Sequence, residues 1–193
     1  MRVVLDYFGE IVKTKMQQLS AEELLAQYAG GKRDFVEIDI SQTYLFEADL
    51  SKIDLKNSNL QGAYLPYANL TQGNFNKAQL QTAELGNAKL NQADLSEANL
   101  QGADLCRANL RYASLRGANL SRANLQGADL YNADLREADL TDADLSGANL
   151  EDAKLESAQL AGCNLFRAKK VNLSKAVFDS TTTFPDGYKG DSS

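Results

Sequence analysis

The run Ala98-Asn99-Leu100-Gln101-Gly102-Ala103-Asp104-Leu105 carries the unit from which most of the chain is built, Ala-(Asp/Asn)-Leu-x-x. From Phe35 to Leu165 every fifth residue is apolar; 24 of these 27 positions are Leu, and Phe35, Ile40 and Phe75 fill the rest. Two residues earlier, from Ala48 to Ala168, 21 of 25 positions are Ala, the exceptions being Ile53, Ser58, Gly73 and Cys163. The residue just before the Leu is Asp or Asn in 19 of the 27 cases. Repetition this regular decides the architecture before helix and strand need to be weighed.

A period of five suits neither regular structure. On an α-helix, five residues advance a side chain by about 140°, which scatters the leucines around the whole surface. On a strand, an odd period sends successive leucines to opposite faces. All of them share one interior only if the backbone turns after each unit and winds into a closed coil. Stacked coils then pair their backbone groups at about 4.8 Å, the spacing of strands in a sheet. A hexapeptide left-handed helix needs a period of six and is excluded.

With these residues in view, the chain resembles the pentapeptide repeat proteins, a family especially abundant in cyanobacteria. The resemblance implies an all-β solenoid, a right-handed quadrilateral β-helix with 20 residues per coil and the Leu and Ala of each unit inside. About seven coils then give a tube near 33 Å long. Small Ala is consistent with that interior, because four Leu in one layer leave little space for a second large side chain. Gly62, Gly102, Gly117, Gly127, Gly147 and Gly162 all fall two residues after a Leu, where a corner calls for a permissive backbone.

The chain divides into an N-terminal segment and cap (residues 1–33), the repeats (34–184) and a C-terminal turn and tail (185–193). Ser20-Ala21-Glu22-Glu23 is a capping box, followed by Leu24, Leu25 and Tyr28 and stopped by Gly30-Gly31. The short helix it starts is expected to cover the open mouth of the first coil, which otherwise bares core and unpaired backbone. Val4, Phe8, Ile11, Val12 and Met16 have the spacing of a second helix upstream. Family-like sequence begins near Met16, so residues 1–15 read either as part of the cap or as an extension upstream of the natural start. At the other end Lys170 would point inward if the phase continued, and an unpaired buried ammonium is too costly. The pattern resumes with Val171-Asn172-Leu173 and Ala176-Val177-Phe178, which predicts a register slip at 169–172 through a three-residue bulge or loop near Lys169. Pro185-Asp186-Gly187 reads as a closing turn, and residues 189–193 as a frayed tail.

Composition narrows the function classes. The 193 residues contain no His, the commonest general base and metal ligand, and their formal charge is −6. No nucleophile sits with a base, and neither a phosphate-binding loop nor a Cys/His cluster with zinc spacing occurs. Asp142 and Asp144 are close in sequence but have no cleft to work in, because a filled tube offers none. The reading is therefore no enzyme, no cofactor and no resident metal, with weak surface Ca²⁺ or Mg²⁺ binding left open. An acidic chain without clustered Lys and Arg does not suit direct nucleic-acid binding. No run approaches 18 apolar residues and Val3–Phe8 is too short and acidic for a signal-peptide core, so the expectation is a soluble, cytoplasmic protein without a membrane partner. Cys106 should face solvent and Cys163 replaces an inward Ala; about three coils, roughly 14 Å, separate them, too far for a disulfide.

Two surface features stand out as candidate partner sites. Tyr44, Phe46, Tyr64 and Tyr67, with Pro66, fall on one side of the first two coils, with Tyr44 over Tyr64 in this register. Such a strip suits docking, though the chain's own Val3–Val12 segment is an equal candidate to cover it. Arg107, Arg111, Arg116 and Arg122 lie within an acid-free stretch, 105–128, one on each side of the tube, while 129–156 holds nine acids. This belt either orients a polar partner or makes rung-to-rung pairs such as Arg122 with Asp142 and Arg136 with Glu156; solvated structural pairing is favoured. The functional expectation is a scaffold or interaction module with an unidentified protein partner, as a monomer or an end-to-end dimer. The alternative follows from the resemblance: some members bind type II topoisomerases such as DNA gyrase as acidic rods shaped like DNA. Residues 34–165, with 19 acids and 10 bases, have the right sign for this, but the arginine belt interrupts the acidity and no C-terminal dimerising helix is evident.

Overall fold

The computed structural model describes residues 3–5, 11–13 and 15–189, the first two segments by their backbone alone. Parallel bridges join each residue before an inward apolar position to the residue twenty further on: Asp34 to Asp54, Asp39 to Asn59, Tyr44 to Tyr64, Asp49 to Asn69, and so to Asn149 with Lys169. Four bridged positions per twenty residues make a four-sided coil. The Leu column and the Ala column are buried along its length, from Leu45 through Leu105 and Ala108 to Leu165.

Each corner is a β-turn in which the Leu carbonyl accepts the N–H of the Ala three residues on, at 3.0 Å for Leu100 and Ala103. The residue two after the Leu takes a left-handed backbone: φ is 60° at Gln92, 56° at Arg107 and 58° at Asp142. That positive φ at the third turn residue matches a type II turn. The glycines named above adopt it too, but most corners use other residues, so glycine is not what makes the corner. At Gly162 the Asp142 carboxylate lies over the corner, where an added Cβ would come 2.2 Å from its Oδ1 and turn that exposed side chain aside.

The Asp/Asn position has a task that its spacing alone does not reveal. Its Oδ1 accepts the N–H two residues on, as Asp39 does from Ser41 at 2.9 Å and Asp144 from Ser146 at 2.9 Å, an Asx-turn that secures the first residue of the corner. Where Asn stands one coil above Asp, its amide also donates to that carboxylate, as Asn124 does to Asp104 at 2.8 Å and Asn149 to Asp129 at 2.9 Å, with Asn74 over Asp54 the exception.

The ends differ from expectation in three places. Upstream of the cap the chain forms not a helix but an antiparallel pair, β1 (Val3–Leu5) with β2 (Ile11–Lys13), as befits β-branched Val3, Val4, Ile11 and Val12. Of the rest of that pattern, Phe8 lies outside the described residues, and Met16 stands just before β3, outside any helix. Then β3 (Gln17–Gln18) pairs in parallel with β4 (Ile38–Asp39), so part of a coil precedes the helix and puts Leu19 into the core. Helix α1 (Ala21–Ala29) starts with the expected box: Glu23 N–H donates to Ser20 Oγ and Ser20 N–H to the Glu23 carboxylate. Its Leu24 is fully buried over the first coil, Leu25 is exposed, and the Tyr28 hydroxyl donates to the Ser51 carbonyl at 2.8 Å.

At the C-terminal end the slip is a shortening, not an inserted bulge. Bridging resumes at Gln159 with Val177, eighteen residues apart, and at Asn164 with Thr183, nineteen apart. Lys170 adopts φ 55° and leads the chain out of the ladder, its ammonium paired with Glu151 in solvent. Phe178 reaches the inward phase on a last coil with nothing stacked beyond it, and is exposed, with its ring edge-on to Phe184. The Pro185-Asp186 turn closes with Gly187 N–H on the Phe184 carbonyl, and Lys189 bridges back to Thr183 instead of fraying; residues 190–193 of that tail lie outside the described ones.

Two exceptions in the Ala column have packing reasons. At Gly73 a Cβ would meet the Phe75 ring at 2.6 Å, so the larger ring in the Leu column requires the smallest partner in the other. Ser58, fully buried, splits the turn of the coil below: its hydroxyl accepts from Ile38 N–H at 3.2 Å and donates to the Phe35 carbonyl at 3.0 Å. Gly73→Ala should lower stability by about 1–3 kcal/mol, and Phe75→Leu in the same chain should recover most of it. Ser58→Ala, which strands the N–H and C=O of that turn, should cost about 1–3 kcal/mol. Chemical denaturation of these three variants and of Phe75→Leu alone measures both; additive losses at 73 and 75 would refute the volume exchange.

Candidate interaction surface

Because side chains one coil apart stack directly, the first two coils bring the aromatic residues together. Tyr44 and Tyr64 lie face to face, centroids 4.8 Å apart and planes inclined by 11°. Phe46 stands 6.2 Å from Tyr64 and meets Tyr67 edge-on at 5.8 Å. The cluster is open, with Tyr44 66%, Phe46 39% and Tyr67 53% exposed, and Tyr64 half-buried between them. Covering by Val3–Val12 concerns side chains outside the described ones. The same face continues with Glu84, bridged to Tyr64, and then Asp104.

The arginine belt resolves largely into ladder pairs. Arg111 Nη1 donates to Asp129 Oδ2 at 3.0 Å, Arg116 reaches Glu137 at 2.8 Å, and Arg122 approaches Asp142 to 3.8 Å. Arg136 does not pair with Glu156 as its register predicted; it folds back on its own Asp134 at 2.5 Å, a shorter reach than the next coil. Arg107 has no ion-pair partner among the described residues and is exposed. The belt therefore does not gather into one patch.

Sequence reading missed a second small aromatic group. Tyr112 and Tyr131 meet edge-on at 5.4 Å, and the Arg111 guanidinium lies 4.2 Å from the Tyr131 ring. Their separation of nineteen, instead of twenty, is the signal: successive corner residues approach one another across coils with that offset.

The carboxylates with shifted titration lie on the outer wall. Hydrogen bonding from the Arg136 guanidinium holds the Asp134 carboxyl below its ordinary value of 3.8. At Asp129 and Asp144 partial burial acts upward, but the hydrogen bonds they accept outweigh it and both fall. Burial pushes the Cys163 thiol up to about 12. Among the described residues no group of three or more Cys, Asp or Glu is placed to hold a metal ion, and no helix is long and apolar enough to cross a membrane.

Comparison with known proteins agrees with this construction. The pentapeptide repeats family model matches in eight copies, over residues 38–76, 74–111, 107–142 and 133–182, and the chain belongs to that family. Among solved structures it is similar to HetL, a protein involved in heterocyst differentiation regulation from Nostoc sp. strain PCC 7120. That match has 28% identity, covers 89% of this chain and 100% of HetL, and gives a TM-score of 0.41. A second pentapeptide repeat protein from Nostoc PCC 7120, alr5209, is 30% identical over 86% of this chain and 100% of its own, with a TM-score of 0.32. QnrB1, a plasmid-mediated fluoroquinolone resistance protein, is 19% identical over 85% and 90% of the two chains, with a TM-score of 0.44. No curated protein matches the sequence.

The two thiols should separate cleanly. In the native state at neutral pH an aromatic disulfide reagent should label half-exposed Cys106 and leave Cys163 untouched until the chain unfolds. The depressed carboxylates fix the pH dependence of stability. Their contribution is complete above the unfolded value near 3.8 and is lost as pH falls through the lower folded values, so denaturation midpoints should drop on acidification below about pH 4. Asp134→Asn should flatten that fall.

Proposed function

We propose that the chain is a non-enzymatic protein-interaction module that engages its partner through Tyr44, Phe46, Tyr64 and Tyr67. The observation that carries this reading is the open cluster of four rings, three of them stacked and Tyr67 edge-on to Phe46. Aromatic side chains provide large, stiff contact area at little entropic cost, and contiguous exposed apolar surface on a soluble protein marks contact sites. The carboxylates of Glu84 and Asp104 continuing along the same face favour a partner that presents apolar groups beside Lys or Arg. Family membership supports right-handed winding of the four-sided coil, and two free thiols suit a reducing, cytoplasmic setting.

The competing reading, an acidic DNA mimic acting on a type II topoisomerase, draws on the net acidity of the repeats. It is weakened where the belt of Arg107, Arg111, Arg116 and Arg122 puts positive charge across the middle of the rod. Two experiments separate them. A photo-crosslinking residue at position 67 in the native host should capture one defined partner, and Tyr44→Ser should abolish the capture while Arg116→Ser leaves it intact. Gyrase supercoiling should be unchanged by an excess of the protein; inhibition there, with crosslinks unaffected by Tyr44→Ser, would reverse the assignment.

A further inference from the structure

The ladder has one missing rung. Every bridged position from Asp34 to Asn164 pairs with the following coil except Lys154. Because the chain leaves the coil at Lys170 and rejoins at Val177 two residues early, Val171 and Leu173 pack over the core on that side but no described residue of the following coil bridges to Lys154. The Asp152 and Leu155 N–H groups donate to no acceptor among the described residues, and the Ala153 carbonyl accepts from no donor there. Beside them Glu156 Oε2 is buried without a partner. The gap is a cavity of about 430 Å³ between residues 151–156 and Lys170, Asn172, Ser174 and Lys175. Its volume lies within the range of roughly 300–1,000 Å³ that small ligands occupy. The interior loosens here too: Ala153 is 9% and Leu155 3% exposed, where their equivalents one coil earlier, Ala133 and Leu135, are fully buried.

An unpaired edge of donors and acceptors is a template for another strand, and what this edge lacks is specific. Elsewhere one residue of the next coil supplies both bonds: Lys154 itself donates to the Ala133 carbonyl at 2.9 Å and accepts from Leu135 N–H at 2.9 Å. We propose that the gap is a binding site for a short extended peptide segment of a partner, which completes the ladder by β-augmentation with the pattern acidic-apolar-basic. The acidic residue lies over Lys154, which has no ion-pair partner among the described residues, and its N–H and C=O take the Ala153 carbonyl and the Leu155 N–H. The apolar residue lies along the edge of Leu155 that stays open, 3% of its surface. The basic residue lies over Glu156 and gives its stranded oxygen a donor. The site is at the far end of the tube from the aromatic cluster and does not rest on it.

The probe is the blocked peptide acetyl-Ala-Asp-Leu-Arg-amide, titrated into the ¹⁵N-labelled full chain. The largest amide shifts should fall at Asp152, Lys154 and Leu155, and exchange of the Leu155 amide should slow. N-methylation of the peptide's Asp nitrogen, which removes the donor to Ala153, should weaken binding roughly threefold to tenfold. The charge-reversed peptide with Lys-Leu-Glu should bind more weakly, and the double variant Lys154→Glu, Glu156→Lys should reverse that preference. Lys154 is exposed and Glu156 partly exposed, and neither belongs to the Leu or Ala column, so the coil should survive the exchange. No shift at Leu155 up to millimolar peptide, indifference to N-methylation, or an unchanged charge preference in the double variant would each overturn the proposal.

Discussion

The interior has a fixed width, and every other feature follows from keeping it filled. Four large apolar side chains and four small ones per layer pack at the density of a protein core only if each coil presents them in the same phase as the coil below. Rung-to-rung hydrogen bonding enforces that phase, and the left-handed residue at each corner returns the next Leu to the interior. A left-handed backbone is unfavourable for most residues. Here it recurs at corner after corner, held from one side by the Leu-to-Ala turn bond and from the other by the bond its own N–H makes to the next coil, as Arg107 N–H does to the Gln126 carbonyl at 2.9 Å. Stability is therefore distributed along the tube as nearest-neighbour terms.

The exchange between Phe75 and Gly73 shows how strict the width is. A side chain larger than Leu in one column is met by the loss of a methyl in the other, within the same turn. Ser58 and Thr182 show the complementary rule for polarity: each is fully buried, and each spends its hydroxyl on a backbone carbonyl, Phe35 and Leu160 respectively. They lie toward the two ends of the tube, where the repeat yields to the cap and to the terminal turn.

Most of this was legible in the sequence because the period is a long-range constraint written in local spacing. A Leu every fifth residue excludes helix and strand on geometry alone, and the stacking of Tyr44 on Tyr64 follows once twenty residues per coil are granted. What stayed hidden depends on side-chain reach or on ends. Arg136 was assigned to Glu156 by register, yet its own Asp134 is nearer. The segment containing Val4 and Ile11 has helical spacing, but β-branched residues paired it as strands. The slip was recognised from Lys170, although an eight-residue step from Leu165 to Leu173 is equally five plus three or ten minus two, and only the bridge from Gln159 to Val177 distinguishes them.

Function on such a scaffold is set by departures from the repeat, since the repeat itself presents the same polar wall on all four sides. A fold shared across a family carries no task by itself. The two departures here are of different kinds. At Tyr44 and Tyr64 the backbone is regular and the side chains change, which leaves the ladder intact and adds apolar surface. At Lys154 the composition is ordinary and the backbone departs, which leaves the surface polar and opens the ladder. The first adds contact area without geometric specificity beyond the stacking of rings; the second demands a partner with a matching donor and acceptor. The two lie toward opposite ends of the tube, and the continuous packed column between them sets the distance from one to the other.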